Sequence, residues 1–557
     1  GESPDRRTSL SSDGSMVAAL PATAMHRAAA VVAEPVVPAA RAGSAARPRA
    51  AWLVVALVLL VAAGSAAWVY RHPLRRAVDA LASAPSGKAS AVPPAGITTL
   101  AVLPFLDLDR SQDQRYLSDG LTEELINRLA RMPRLRVTAR TSSFVFRDKQ
   151  VDVRDAARRL GVQHVIEGSV QSSGQTWRVR VALVDARNGY ELWAGEYNVG
   201  TSDLLQTEDR IAYSVVTTLY PKLAPAVLAR TTRRPHVDSA AHDFYLVGLQ
   251  YLSRRTTADI HQAITYFDRA VQIDPDYADA WSSEAVGYAV LRDYNSDAPP
   301  DAHYDDALAA ANKAVALDPQ SARGHMVLGL LYEQHWQWVQ AHQELQRALK
   351  LDPSDATAHQ WYAIYFWLTG DMPGALQQMR TAYALDPLSL IINVDLSRAM
   401  LFAGDIDGAI RQGKVAVALA PRSELPHLFL AAALQGKGRY AEAVQEIRTG
   451  MALASSPSES DDLAFLGQME WAAGHREDAR RLLALVEARA RQHYVSGVSL
   501  ASIEWPLGEK DRAFANLDRA VADHDHLLMT VSGMRDDPWC SDPRFREMLG
   551  RMNLPVQ

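Results

Sequence analysis

Four features of the chain carry side chains capable of chemistry, and a fifth, a glycine, could bring backbone close to a phosphate. Asp523-His524-Asp525-His526 offers imidazoles and carboxylates, the donor types that bind transition metals. Adjacent helical residues do not face one another, so the run reads as a solvated helix end. His335 and His342 stand seven residues apart among Trp336 and Trp338, a spacing that can share a helix face; with no acidic third ligand nearby they read as packing residues. Cys540 is the single cysteine, which excludes an intrachain disulfide, and its surroundings give no sign of a reactive thiolate. Asp119, Glu123 and Glu124 could act as paired carboxylates, but read as acids at the positive end of a helix dipole. Gly168 reads as a strand irregularity and not as a phosphate contact. No GxxxxGK[ST], GxGxxG, HExxH or CxxC motif is present. The sequence therefore predicts no catalytic residue, no cofactor and no metal, and a protein that is not an enzyme.

What positions these residues is a ruler. An alanine recurs in one local setting at Ala263, Ala307, Ala341, Ala375, Ala409, Ala443, Ala479 and Ala513, at spacings of 44, 34, 34, 34, 34, 36 and 34 residues. Four residues later comes a larger apolar side chain such as Phe267, Leu345, Met379, Ile447, Leu483 or Leu517. Three further on comes a second alanine, as at Ala270, Ala348 and Ala382. Positions i, i+4 and i+7 share one helix face, so small residues there let two backbones approach while the larger one fills the gap. Proline follows twelve residues after the first alanine, at Pro275, Pro319, Pro353, Pro387 and Pro421, and ends the helix because the residue before proline disfavours helical backbone. A period of 34 residues predicts a solenoid of helix pairs.

The set Leu328, Gly329, Tyr332, Ala341, Leu345, Ala348 and Pro353 resembles the tetratricopeptide repeat (TPR), and the resemblance covers about eight repeats over 240–530. In a TPR the first helix of each pair lines the concave face. Its inward positions here include Met326, Leu330, Gln360 and Ile364, then Trp367, Arg398 and Leu428, with Val394, Leu401 and Gln435 in the same register. TPR domains that clamp a C-terminal carboxylate use Lys, Asn and Arg at matching positions. Here only Arg398 is basic, so the expected occupant is an apolar or helical protein or peptide, with Trp367 as its anchor, or the α/β part of this chain.

Residues 1–50, rich in Ala, Pro, Ser and Arg, are expected to be a disordered tail. Ala51–Tyr70 is uncharged and long enough, at ~1.5 Å per residue, to cross a bilayer, with Trp52, Trp68 and Tyr70 near its ends; the expectation is a single transmembrane helix. Flanking arginines are balanced and do not orient it. Residues 71–96 read as a linker. Residues 97–224 alternate strand and helix in the order β-α-β-α-β-β-β-α, a small mixed sheet covered by helices. Residues 531–557 are expected to hold a C-terminal cap, because a solenoid must cover its last apolar face.

Within 97–224 the runs AVLPF, YLSDGLTEEL, TSSFVFRD, VQHVIEGSV and NGYELWAGEY resemble the TolB-amino-terminal-like, or FlgO-like, domain. With a membrane span and TPRs, that is similar to the sensor part of ToxR/CadC-type bacterial regulators. The resemblance implies a single-pass inner-membrane protein with a periplasmic C-terminal region, acting as the interaction or sensor module of a signalling or transcription-regulatory protein. Two other outputs stay open: an envelope scaffold without signalling, and the regulatory part of a cyclase or kinase. The net charge of −6 gives no basic face, so nucleic acid is not expected to bind the residues present. A homo-oligomer is left open.

Overall fold

The computed structural model describes residues 97–554 except 110–114, 133, 148, 150, 174–175, 201–203, 222–236, 295–297, 455–459 and 534–540. The tail, the membrane helix expected at Ala51–Tyr70, the linker and Cys540 all lie outside the described residues.

The chain first builds a sheet. Strands β1 (Thr98–Val102), β2 (Leu106–Asp107), β3 (Leu135–Val137), β4 (His164–Ser173), β5 (Thr176–Asp185) and β6 (Glu191–Gly200) form one sheet in the order β3-β1-β4-β5-β6, with β2 beside β4. The β1 pairings with β3 and β4 are parallel, and β4-β5-β6 is an antiparallel meander. Helices α1 (Arg115–Ala130), α2 (Arg140–Phe144), α3 (Val153–Leu160) and α4 (Leu204–Leu219) complete the domain. Gly168 is no irregularity: the β4–β5 register runs through Gly168↔Val181, and the slip falls at Leu183/Val184. Glycine is needed because a Cβ there would meet the Arg180 carbonyl at 2.5 Å and the Phe105 ring at 2.7 Å.

The repeats follow as eight antiparallel helix pairs. These are α5 (Ser239–Leu252) with α6 (Thr257–Ile273), α7 (Ala278–Leu291) with α8 (Tyr304–Leu317), α9 (Ala322–Gln334) with α10 (Trp338–Leu351), and α11 (Ala356–Thr369) with α12 (Met372–Leu385). Then come α13 (Leu390–Phe402) with α14 (Ile406–Leu419), α15 (Leu425–Gly436) with α16 (Tyr440–Leu453), α17 (Ser460–Ala472) with α18 (Arg476–Ala490), and α19 (Gly497–Glu504) with α20 (Lys510–Ala522). All eight ruler alanines are 0% exposed. The larger residue four positions on meets a small one across the pair: a Cβ at Gly329 would lie 2.6 Å from Leu345, and one at Gly248 2.5 Å from Phe267. The residue before proline leaves the helix in extended backbone at Asp274, Asp318 and Asp352, where ψ is 90 to 96°, and at Asp386 and Ala420 it leaves with ψ of 67 and 69°. Aspartates restart several helices: Asp355 accepts from Thr357 and Ala358 N–H, and Asp371 from Gly374 N–H, N-caps that contribute ~1 kcal/mol each. Two further helices, α21 (Leu528–Gly533) and α22 (Pro543–Arg551), end the described chain. Phe545, Met548 and Leu549 of α22 join Phe514, Leu517 and Val521 of α20 in one apolar cluster.

One part of the expected fold class is corrected. Among the described residues no helix is long and apolar enough to cross a membrane. The longest, α6, has 17 residues, or ~26 Å, short of the ~30 Å hydrocarbon core, and it carries charges on its outer face. The described fold is an α/β domain and a helical solenoid, and the single-pass inner-membrane placement is not carried forward.

The sheet domain docks on the solenoid. Helix α1 packs on α5, with Gly120 against Leu246. Arg128, 3% exposed, donates to Glu208 at 2.6 Å and pairs with Asp209 and Glu124, while His242 of α5 lies 3.7 Å from Glu208. Burial alone would push Glu208 up, but Arg128 and His242 outweigh it and hold the carboxyl below its usual range. Further along, the turn after α12 reaches back: Asp386 accepts from Ser142 N at 2.8 Å and from the Ser142 hydroxyl, which in turn accepts from Leu388 N at 2.7 Å. Asp119, Glu123 and Glu124 sit beyond the first turn of α1, and all three pair with arginines, Asp119 with Arg147, Glu123 with Arg140 at 2.7 Å and Glu124 with Arg128 at 3.7 Å. Their role is ion pairing at this buried junction and not the dipole end that the sequence suggested.

Candidate functional site

The inner face of the repeats is the surface that the sequence nominates, and the structure finds it largely filled. Met326, Leu330, Gln360 and Ile364 are buried, and Trp367 is 1% exposed. Arg398, Leu401, Leu428 and Gln435 are half-buried. Trp367 stacks edge-on against Phe402 at 5.8 Å and lies under the Arg398 guanidinium at 4.6 Å, so it is a core residue with a cationic lid and not an exposed anchor. Gln360 donates to Asp395 at 2.6 Å, and Arg398 reaches the other oxygen of Asp395 at 2.6 Å. These polar contacts floor the groove.

The occupant is the chain's own C-terminal segment. After α20 it turns and runs past the first helices of four successive repeats. Arg292, at the end of α7, donates to the His524 carbonyl at 2.7 Å. Trp336, after α9, packs on the His524 ring at 4.7 Å. Helix α21 lies against α11, and Arg398 of α13 donates to Met529 Sδ at 3.8 Å. Trp338 Nε1 donates to the Met552 carbonyl at 2.8 Å, and Asn553 donates to the Trp336 carbonyl.

The run Asp523–His526 is thereby corrected: it is no solvated helix end. His524 adopts left-handed backbone (φ 49°), so consecutive side chains diverge. Asp525, 3% exposed, accepts from Gly497 N and from the Tyr494 hydroxyl, each at 3.1 Å. His524 Nδ1 lies 2.8 Å from Asp301 Oδ2, and His335 Nε2 lies 3.2 Å from Asp301 Oδ1. Burial would raise the Asp301 carboxyl, but the two imidazoles hold it well below the usual carboxylate range. His342 sits apart, bonded to the Tyr362 hydroxyl at 3.0 Å. Two groups of described residues have donor atoms close enough for a metal ion: Asp301, His335 and His524; and Glu470, His475 and Asp478. In the second, Glu470 is already taken by Arg448 at 2.5 Å and His475 at 2.6 Å.

Sequence reading missed Asp301 because it lies in the long turn inside the second repeat, 34 residues from His335 and 223 from His524. The missed signal was nearby. Trp336 occupies, with φ 55°, the turn position that five other repeats give to Gly370, Gly404, Gly438, Gly474 and Gly508.

Residues 302–335 and 337–389 match the tetratricopeptide repeat family. The chain carries TPR repeats. Residues 96–213 match the second domain of HilA/YgeH-like transcriptional regulators, so the α/β part is a HilA/YgeH-like regulator domain. Putative adenylate cyclase 3 of Rhizobium meliloti (strain 1021) is 32% identical over 235 residues, which is 42% of this chain and 40% of that protein. The chain thus spans well under half the length of that curated relative. Among solved structures, the pilF protein of Pseudomonas aeruginosa is 17% identical, covering 41% of this chain and 96% of that one at a TM-score of 0.31. The human IFIT1 dimer is 14% identical, covering 57% of this chain and 85% of that one at a TM-score of 0.41.

Proposed function

We propose that residues 97–554 form a non-catalytic regulatory module of a bacterial signalling or transcription-regulatory protein. Its HilA/YgeH-like domain is held on a TPR solenoid whose inner face is covered by the C-terminal segment, and a protein or peptide partner displaces that segment. The observation that carries this reading is the placement of α21 across the Trp367–Arg398 floor. The short helix α21, tied to this floor by the Arg398–Met529 contact, can be exchanged for a partner while α22 stays packed on α20, whereas the buried Arg128–Glu208 junction cannot open cheaply. The sequence resemblances to TolB-amino-terminal/FlgO-like and ToxR/CadC-type proteins support a regulatory role of the same kind.

The test is Met529→Lys, which sets an ammonium against the Arg398 guanidinium and loosens α21. Partner recovery on the immobilised chain should rise several-fold over wild type, with faster hydrogen exchange in 524–533. Equal recovery with equal exchange would remove the covered-groove reading.

A second reading, the regulatory part of a nucleotide cyclase, is favoured by the 32% identity to putative adenylate cyclase 3. Reading the genomic frame upstream of Gly1 for a cyclase or a DNA-binding domain separates the two outputs.

A further inference from the structure

The three residues that tie the C-terminal segment to the second and third repeats are an unusual set for a structural clasp. A hydrogen bond joins His524 Nδ1 to Asp301 Oδ2 at 2.8 Å, but none joins His335 to the same carboxylate. Asp301 Oδ1 and His335 Nε2 are both buried and neither makes a hydrogen bond, although they lie only 3.2 Å apart. The His335 and His524 rings are stacked face to face at 4.1 Å with a 22° tilt, so both nitrogens approach the same carboxylate from one side. All three donor atoms fall within 4.8 Å of one another. Ligands held ~2.0–2.2 Å from a tetrahedral ion stand roughly 3.3–3.6 Å apart, so small side-chain rotations suffice to admit one.

The backbone supplies an independent observation. Both turns that present the imidazoles contain a non-glycine residue in left-handed backbone, Trp336 beside His335 and His524 itself. Such backbone is unfavourable for any residue with a side chain and persists where the surroundings demand it. At Trp336 five sister repeats avoid that cost with glycine. What the tryptophan provides here is a wall on His524, while Tyr304 stacks on His335 from the other side at 3.4 Å. Arg292 is engaged by the His524 carbonyl.

We propose that Asp301, His335 and His524 bind a divalent first-row transition metal ion of the zinc class, which clasps the C-terminal segment to the second and third repeats. Imidazole nitrogen with one carboxylate suits zinc, nickel, copper or iron, and not magnesium or calcium, which take oxygen ligands. Three protein ligands leave a fourth position for water, in keeping with the half-buried setting of all three residues. The ion would neutralise the carboxylate and satisfy both orphaned atoms. Metal binding is read directly, so its failure is distinguishable from failure of the partner-displacement reading.

The test uses the whole chain, stripped with chelator and titrated with Co²⁺ as a spectroscopic probe, then with Zn²⁺ in competition. One Co²⁺ per chain is expected, with ligand-field absorption that Zn²⁺ abolishes, and Zn²⁺ should slow hydrogen exchange in 523–530. His335→Ala, His524→Ala and Asp301→Asn should each weaken binding at least ~10-fold, while His475→Ala leaves it unchanged. Should an alanine variant fail to fold, His335→Gln and His524→Gln give the same reading with volume preserved. Absence of stoichiometric binding at micromolar Co²⁺ and Zn²⁺, or equal loss in the His475 and His335 variants, overturns the proposal.

Discussion

Trp338 Nε1 donates to the carbonyl of Met552 across 2.8 Å, joining the third repeat to the last described helix 214 residues later. The bond closes the solenoid on itself, since the same tail segment also touches the second, fourth and fifth repeats. Trp338→Phe keeps most of the ring and removes the donor. It should cost about 1 kcal/mol and raise hydrogen exchange in 543–554 without changing exchange in 239–273. Uniform exchange across both regions would show that the tail is not held from this point.

Trp367 is 1% exposed and packed on Phe402, so Trp367→Ala should behave as a core truncation. The expected loss is about 3–5 kcal/mol in urea unfolding. A wild-type unfolding midpoint would restore Trp367 as a surface anchor.

Ala341 and Ala375 are 0% exposed at the close approach of paired helices. Ala341→Phe or Ala375→Phe overpacks that contact and should cost about 1–3 kcal/mol or more, read as a lowered Tm. Surface alanines changed to Phe serve as the comparison and should leave Tm within a degree or two of wild type, since substitutions away from packed features cost little.

Arg128 faces Glu124, Glu208 and Asp209 inside the junction of the two folds. Arg128→Met strands the fully buried Glu208 and should cost about 3–5 kcal/mol. Adding Glu208→Gln should recover part of that loss, because the two residues act as a pair. Strict additivity in chemical denaturation would mean that they do not.

Asp386 gives the junction a pH dependence. Burial pushes its carboxyl up to about 6, although the Ser142 bonds pull the other way. Because the folded value lies above the unfolded one of 3.8, the folded state holds the proton more tightly. Its contribution is therefore complete below pH ~4, declines as pH rises through ~6, and levels above that, by about 3 kcal/mol in all. Asp386→Asn keeps an acceptor for Ser142 and should flatten stability between pH 4 and 7. An unchanged slope in that variant would assign the pH dependence to other groups.

What the sequence determined by itself was whatever local spacing encodes. The ruler alanines, the larger residue four positions on and the extended residue before proline are properties of a few neighbouring residues, and each helix pair repeats them. That is why the helix pairs were legible, and most of the strand and helix order of the α/β part with them, whereas the two-residue strand β2 and the five-residue helix α2 are too short to leave a periodicity. The tertiary structure decided what pairs residues far apart. Asp301, His335 and His524 converge because the solenoid curves far enough for its tail to cross its own inner face, and no periodicity states that curvature. For the same reason the exposure of the nominated positions was not legible: Trp367 lies on the first helix of its repeat, yet Arg398 lies over its ring and helix α21 packs on that helix. The one local trace of the closure is Trp336, a bulky side chain in a left-handed turn where its sister repeats place glycine, because there the turn must also grip a distant imidazole.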